Sequence, residues 1–154
     1  AALTLLWGSA HADVGLGEIA ATAMDGPVTL YYPTHAAAQP VRRGPFTLML
    51  AEQAAPVRGN GRLVVISHGS GGSPWVHADL ARSLVDAGFV VAMPQHRGDN
   101  YRDDRDPGPD SWKLRPAEAS RAIDAVGRDA RLGRSAAEHG KAIGQRGAFD
   151  LLHT

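Results

Sequence analysis

A chain of 154 residues suits one domain, long enough to bury roughly two-thirds of its unfolded surface. Its 16 basic and 16 acidic side chains cancel, which leaves no basic footprint for nucleic acid or an anionic membrane. With no cysteine, disulfides, thiol nucleophiles and thiolate zinc sites are excluded together.

The first stretch, AALTLLWGSA, is apolar and runs into small residues, and Ala10-His11-Ala12 fits the A-x-A cleavage pattern. Residues 1–12 therefore read as the remnant of a secretory signal peptide, with a mature domain from Asp13 exported to a periplasm or the medium. The apolar run is too short to span a bilayer. A buried first strand or helix is the alternative. Residues 14–33 alternate in the manner of strands. Val28, Leu30 and Tyr32 fall on one side, after an Asp25-Gly26-Pro27 turn. Phe46, Leu48 and Leu50 repeat the pattern beyond a Pro/Gly-rich loop. Both stretches predict half-buried antiparallel strands.

Leu63-Val64-Val65-Ile66 is a continuous apolar run, as in a strand buried on both faces. His68-Gly69-Ser70-Gly71-Gly72 follows. Ser73-Pro74 then predicts a helix start, with Ser as N-cap and Pro at the first position. Val76, Leu80 and Leu84 mark one helical face, beside Ala81 and Val85, and Gly88 marks the stop. Phe89 to Met93 forms a second buried strand, ended by Pro94. This β-loop-α-β unit predicts parallel strands. A polar loop from Gln95 to Arg115 leads to a second helix near Pro116, with Glu118 in its first turn and Ala119, Ile123 and Val126 as its apolar face. The order predicts an α/β domain over 13–132, with a mixed, mostly parallel sheet and flanking helices. Residues 133–154 read differently. Four glycines interrupt them, and neither a clean strand nor an amphipathic helix emerges, as in a frame-shifted or truncated end.

A glycine-rich turn between a buried strand and a helix can cradle phosphate or shape an oxyanion site. The P-loop needs Lys-Ser/Thr after its last glycine, but Ser73-Pro74 follows Gly72 here. The dinucleotide turn needs a third glycine where Pro74 stands. The oxyanion reading fits better. Acyl-transfer intermediates need backbone N–H groups fixed toward a developing negative oxygen. Glycines allow the sharp turn, and a helix N-terminus adds partial positive charge. A plain structural turn is the other reading.

These residues resemble a family. LVVISHGSGGSPWVHADLARSLVDAGFVVAMPQHRGDNYRDD is similar to the N-terminal half of secreted bacterial α/β-hydrolases of the dienelactone-hydrolase-like group. The resemblance covers about Val28 to Leu132. It rests on the HGSGG loop, on the helix leading to DAGFVVAMPQHRG, and on SWKLRPAEASRAIDAV. It implies an α/β-hydrolase fold and a serine-type hydrolase of ester or lactone bonds, with no cofactor. The Ser70 backbone N–H would be the oxyanion donor, with Gly71 and Gly72 shaping the turn. The loop from His96 to Asp110 would border the substrate cleft at the carboxyl edge of the sheet. Trp75 and His96 join Gly71 and Gly72 as candidate substrate contacts.

The family's nucleophile sits on a G-x-S-x-G elbow after a further strand. No such motif exists in this sequence. Gly133-Arg134-Ser135-Ala136-Ala137 comes nearest, which makes Ser135 the weak nucleophile candidate. The residues before it, Arg128 to Leu132, are not an apolar strand. Only Glu138, His139, Asp150 and His153 could follow it as acid and base. A complete domain of this kind takes roughly 200–250 residues. The chain is thus expected to carry the N-terminal part only, and to be inactive and poorly folded alone. A non-catalytic binding protein that uses HGSGG as an anion or acyl pocket is the alternative.

Three scattered histidines, His68, His77 and His96, lack metal-ligand spacing, so no metal is expected. His68 reads as orienting the glycine loop and His77 as a first-turn surface residue. Asp104-x-Asp106-x-Gly108 mimics a calcium loop, but Arg115 stands where the bidentate Glu belongs. Arg97, Arg102 and Arg105 interleave with Asp99, Asp103, Asp104, Asp106 and Asp110, which predicts a salt-bridged, solvated loop. Trp75, Tyr101 and Trp112 read equally as cleft lining and as ordinary packing. The expected partner is a small ester or lactone, with no nucleic acid and no membrane.

Overall fold

The computed structural model describes residues 12–132 and the backbone of 150–153. Residues 1–11, 133–149 and 154, with the leader, most of the glycine-interrupted tail and Ser135, lie outside the described residues. In chain order the elements are β1 (Asp13–Ile19), β2 (Val28–Thr34), β3 (Gln39–Arg43), β4 (Phe46–Glu52), β5 (Leu63–Ser67), α1 (Ala78–Asp86), β6 (Val90–Pro94), α2 (Pro109–Arg128) and β7 (Asp150–His153). The strands form one sheet in the order β3-β4-β1-β2-β6-β5-β7.

The protein is α/β with a mixed sheet. β5 pairs in parallel with β6 and with β7, and β1 with β4. β1–β2, β2–β6 and β3–β4 are antiparallel. Parallel and antiparallel pairs are therefore equal in number among the described residues, and parallel pairing does not predominate as expected. The β5-α1-β6 unit does return in parallel register, with Val64 opposite Val91.

The period-2 alternation of the strands explains the layers. Val28, Leu30 and Tyr32 of β2 point to one face with Val65 and Ala92, and pack on Ala119, Ala122 and Val126 of α2. Tyr31, Val64, Ile66, Val91 and Met93 point to the other face, and pack on Ala81 and Val85 of α1. The central strands are covered on both sides, which is why β5 and β6 read as unbroken apolar runs. The Tyr31 phenol donates to the Pro74 carbonyl at 3.3 Å, and burial pushes its pKa up to about 12.

Four elements depart from expectation, the first being β7, a strand paired with β5 at Asp150–His153 in the stretch where no clean strand was expected. Helix α1 starts at Ala78, not at Ser73-Pro74. Ser73 is buried and caps nothing, and residues 73–77 form tight turns closed by Val76 N–H to Ser73 O and Ala78 N–H to Trp75 O. The buried face is Ala81 and Val85, whereas Val76 and Leu80 are exposed. Helix α2 starts at Pro109, not near Pro116. Proline at the first turn is well tolerated there, and Gly108 supplies the entry with φ 106°. Pro116 lies inside the helix, and Glu118 stands mid-helix on its buried face. Strand β3 occupies the Pro/Gly-rich loop. Its Pro40 is admissible because β3 is an edge strand.

One close approach sets the geometry at the carboxyl end of β6. The Gln95 amide donates to the Pro27 carbonyl at 2.9 Å, and a Cβ on Gly26 would stand 2.1 Å from the Gln95 carbonyl oxygen. Gly26→Ala should therefore lower the unfolding free energy by about 1–3 kcal/mol, the range of overpacked sites. A urea midpoint equal to that of the parent would show that the backbones do not meet there.

Candidate functional site

Because β5 and β6 run parallel, the segments that leave them meet at one edge of the sheet. The turn 68–72 follows β5, and the loop 95–108 follows β6. The turn is closed by the Gly72 amide donating to the Gly69 carbonyl at 3.0 Å. Gly71 stands at its third position with φ 65°, where a side chain would be strained.

Asp99 ties the two segments together. Its carboxylate is fully buried. Oδ1 accepts the Ser70 hydroxyl at 2.6 Å and the Gly71 amide at 3.0 Å. Oδ2 accepts the Arg115 guanidinium at 2.8 Å and the Ser111 hydroxyl at 3.4 Å. Burial alone would raise the Asp99 pKa, but the hydrogen bonds from Ser70 and Gly71 and the Arg115 charge outweigh it and hold the group below the usual carboxylate range. Arg115 also donates to the His68 carbonyl at 2.6 Å. It thus clamps the turn to α2. Its Nε is buried without a partner among the described residues.

Beneath the turn lie two buried imidazoles with ring centroids 4.8 Å apart. His68 Nδ1 faces the Gly69 carbonyl at 2.8 Å, and its Nε2 accepts the His96 amide at 3.2 Å. That pattern requires a neutral ring with the proton on Nδ1. Burial, opposed in part by the Gly69 carbonyl, pushes the His68 pKa down to about 4. His96 is fully buried, with Nε2 2.7 Å from the Ser67 hydroxyl and Nδ1 in a close hydrogen bond to Glu118 Oε2. Asn100 holds the His96 carbonyl at 2.6 Å.

Ser67, His96 and Glu118 stand in the hydroxyl–imidazole–carboxylate order of a nucleophilic relay. The Ser67 residue, however, is 2% exposed and His96 not at all, so substrate does not meet them. Here the chain of bonds satisfies buried polar groups at the end of β5.

The expected site residues fall in different surroundings. Ser70 and Gly71 are exposed at the rim. The Gly71 and Gly72 amides are committed to Asp99 and to Gly69, whereas the Ser70 amide has no acceptor among the described residues. Trp75 is half-buried, edge-on to Tyr101 at 4.8 Å. The Tyr101 amide donates to the Gly72 carbonyl at 3.0 Å, which sets this aromatic pair beside the turn, with Arg102 over the Tyr101 ring. Trp112 is exposed in the first turn of α2. His96 lies below the turn and offers neither ring nitrogen to solvent. His77 is the N-cap residue of α1.

Of the three arginines expected to pair with acids in the loop after β6, Arg105 does so with Asp103, whereas Arg97 donates to the Ala23 carbonyl and Arg102 lies over Tyr101. The Arg105–Asp103 hydrogen bond holds the Asp103 pKa down to about 2. Asp99, in contrast, is buried and belongs to the turn. Among the described residues no three His, Asp or Glu side chains are grouped to hold a metal, and no helix is long and apolar enough to cross a membrane.

Ser67, Asp99, Arg115 and Glu118 were not singled out as site residues from the sequence. One signal was available for the last two. Counting back from Ala119 and Ala122 along the α2 apolar face reaches Arg115 and Glu118, and charges in line with an apolar stripe demand partners.

Comparison with protein-family models gives no match for this chain, and neither does comparison with curated proteins.

Two outcomes follow from the buried network. Arg115→Met should cost about 3–5 kcal/mol in urea unfolding, because it strips a buried carboxylate of its cation; a loss below about 1 kcal/mol would show that Asp99 does not depend on the pair. For His68, the folded pKa lies below the ordinary 6.5, so the unfolded chain binds the proton first as pH falls. Its contribution is intact above pH 6.5 and is lost progressively down to about 4, on the order of 3 kcal/mol in all. His68→Asn should flatten that part of the stability–pH curve, and an unchanged slope would assign it to other groups.

Proposed function

We propose that the HGSGG turn is the oxyanion side of a serine-hydrolase type site for ester or lactone bonds, on the N-terminal part of an α/β-hydrolase fold. The supporting observation is the state of the turn's amides. Gly71 and Gly72 N–H are committed internally, while the exposed Ser70 N–H has no acceptor among the described residues. The strand-to-turn context also fits, since oxyanion donors in that fold follow a buried strand. A donor held in place before the reaction needs no reorganisation when charge develops. The holding here is done by Asp99 and Arg115. Arg115 also offsets the Asp99 charge, which would otherwise repel an oxyanion close by. The Trp75–Tyr101 pair beside the turn offers an apolar wall for the acyl or alcohol group.

A second reading is favoured by the burial of the Ser67–His96–Glu118 relay. The Ser67 hydroxyl and the His96 imidazole are both sealed from solvent, so on this reading the turn would act as an anion or acyl pocket without turnover.

Amide NMR with butylphosphonate, a tetrahedral anion, tests both. The Ser70 resonance should move most and saturate, with Gly71 nearly still. A static Ser70 resonance sinks the oxyanion reading and the pocket reading together. If Ser70 responds, a fluorophosphonate probe tests turnover by this chain itself: labelling at Ser135 supports a hydrolase with its own nucleophile, and an unlabelled chain leaves the N-terminal part of a hydrolase or the pocket.

A further inference from the structure

The chain has two asparagines, Asn60 and Asn100. Asparagine is chemically labile, because the next backbone nitrogen is tethered close to its side-chain carbonyl carbon. Both asparagines make the same local hydrogen bond. The Arg62 amide donates to Asn60 Oδ1 at 2.9 Å, and the Arg102 amide donates to Asn100 Oδ1 at 2.9 Å. Each is the side-chain turn that closes two residues on. The donor polarises the side-chain carbonyl and stabilises charge that develops on its oxygen.

The residues that follow differ. After Asn100 the attacking nitrogen would be that of Tyr101, and its N–H is committed to the Gly72 carbonyl at 3.0 Å. Asn100 is also buried, with Nδ2 on the His96 carbonyl at 2.6 Å. After Asn60 the attacking nitrogen is that of Gly61. Asn60 and Gly61 are both exposed, and the Gly61 N–H has no acceptor among the described residues. Gly61 has φ 76°, and a Cβ built on it would meet nothing within 4 Å. Solvent therefore reaches this nitrogen, and no side chain shields it.

We infer that Asn60 is a site of spontaneous deamidation in the folded protein. Hydroxide takes the Gly61 amide proton, and the nitrogen attacks Asn60 Cγ. A five-membered imide closes as the Cγ–Nδ2 bond breaks, and Nδ2 takes a proton from water and leaves as ammonia. Water then opens the ring at either carbonyl, which gives an aspartyl or an isoaspartyl residue at position 60. Overall one water is consumed and one ammonia released. The site is separate from the oxyanion reading and stands or falls without it.

The modification acts on the seam between α1 and β6. The Asn60 N–H donates to the Gly88 carbonyl at 2.8 Å, and Nδ2 donates to the Ala87 carbonyl at 2.9 Å, at the C-terminal end of α1. A carboxylate has no proton for Ala87, and it sets a negative charge at the negative end of the helix dipole. An isoaspartyl link also lengthens the main chain beside Gly59, where a Cβ would stand 2.0 Å from the Gly88 carbonyl oxygen. Deamidation thus loosens the turn that feeds β6.

The test ages the whole chain in mildly alkaline buffer, with its urea transition recorded beforehand, and reads each asparagine by peptide mass spectrometry. The peptide with Asn60 should gain the mass of an amide turned into an acid and split into two chromatographic forms, while the peptide with Asn100 keeps its mass. Asn60→Gln, which cannot close a five-membered ring, should keep its mass throughout. The aged chain and Asn60→Asp should both unfold at a lower urea concentration than the parent. Asn60 keeping its mass in the folded chain overturns the inference, as does Asn100 converting as fast as Asn60. An aged chain with the parent's urea midpoint overturns the coupling to α1.

Discussion

The buried Asp99–Arg115 pair is the interaction on which the edge of this sheet depends. An ionised carboxylate with no exposure to water is tolerated only with full compensation. Asp99 obtains it from two segments: the Ser70 hydroxyl and Gly71 amide of the turn, and the Arg115 guanidinium and Ser111 hydroxyl of α2. Arg115 then reaches the His68 carbonyl. A turn, a loop and a helix that are far apart in the chain are therefore locked in one arrangement. Releasing any one leaves a buried charge or carbonyl without its partner.

That lock shapes what the turn can offer. Glycines permit its sharp course, but they do not by themselves make an anion site. Two of its N–H groups are drawn inward, that of Gly71 to Asp99 and that of Gly72 to the turn's own carbonyl, whereas the amide of the exposed Ser70 has no acceptor among the described residues. The histidines beneath act as scaffolding. His68 spans Gly69 and the His96 amide, and His96 spans Ser67 and Glu118, so each ring uses both nitrogens. A hydroxyl, an imidazole and a carboxylate in sequence carry no reaction when the hydroxyl is sealed off. In this protein the same order of groups supports the end of β5.

The elements were legible in the sequence where a periodic pattern met little competition. The runs at Leu63–Ile66 and Phe89–Met93 are the two central parallel strands, and the one-sided Val28, Leu30 and Tyr32 do face a single helix. Legibility failed where local signals competed. Ser73-Pro74 carries the marks of a helix start, yet Ser73 is drawn into the interior and the chain turns for five residues before α1 begins. Pro116 reads as a boundary, yet Pro109 after Gly108 serves better, and the helix tolerates the later proline. Edge strand β3 was hidden because its Pro40 and exposed side chains look like loop.

The sequence by itself determined the class of fold, the two buried strands, the glycine turn between a strand and a helix, and the absence of thiol chemistry. These are properties of residue type and short spacing. Tertiary structure alone decided that the Gly71 amide and the Ser70 hydroxyl are committed to Asp99, which aspartate of an acid-rich loop is buried, and that Glu118 meets His96. Each of these pairs residues more than ten positions apart, and no local period encodes such a meeting. It arises because the parallel pairing of β5 and β6 brings their carboxyl ends to one edge, where α2 crosses beneath and the low dielectric makes every unpaired polar group costly.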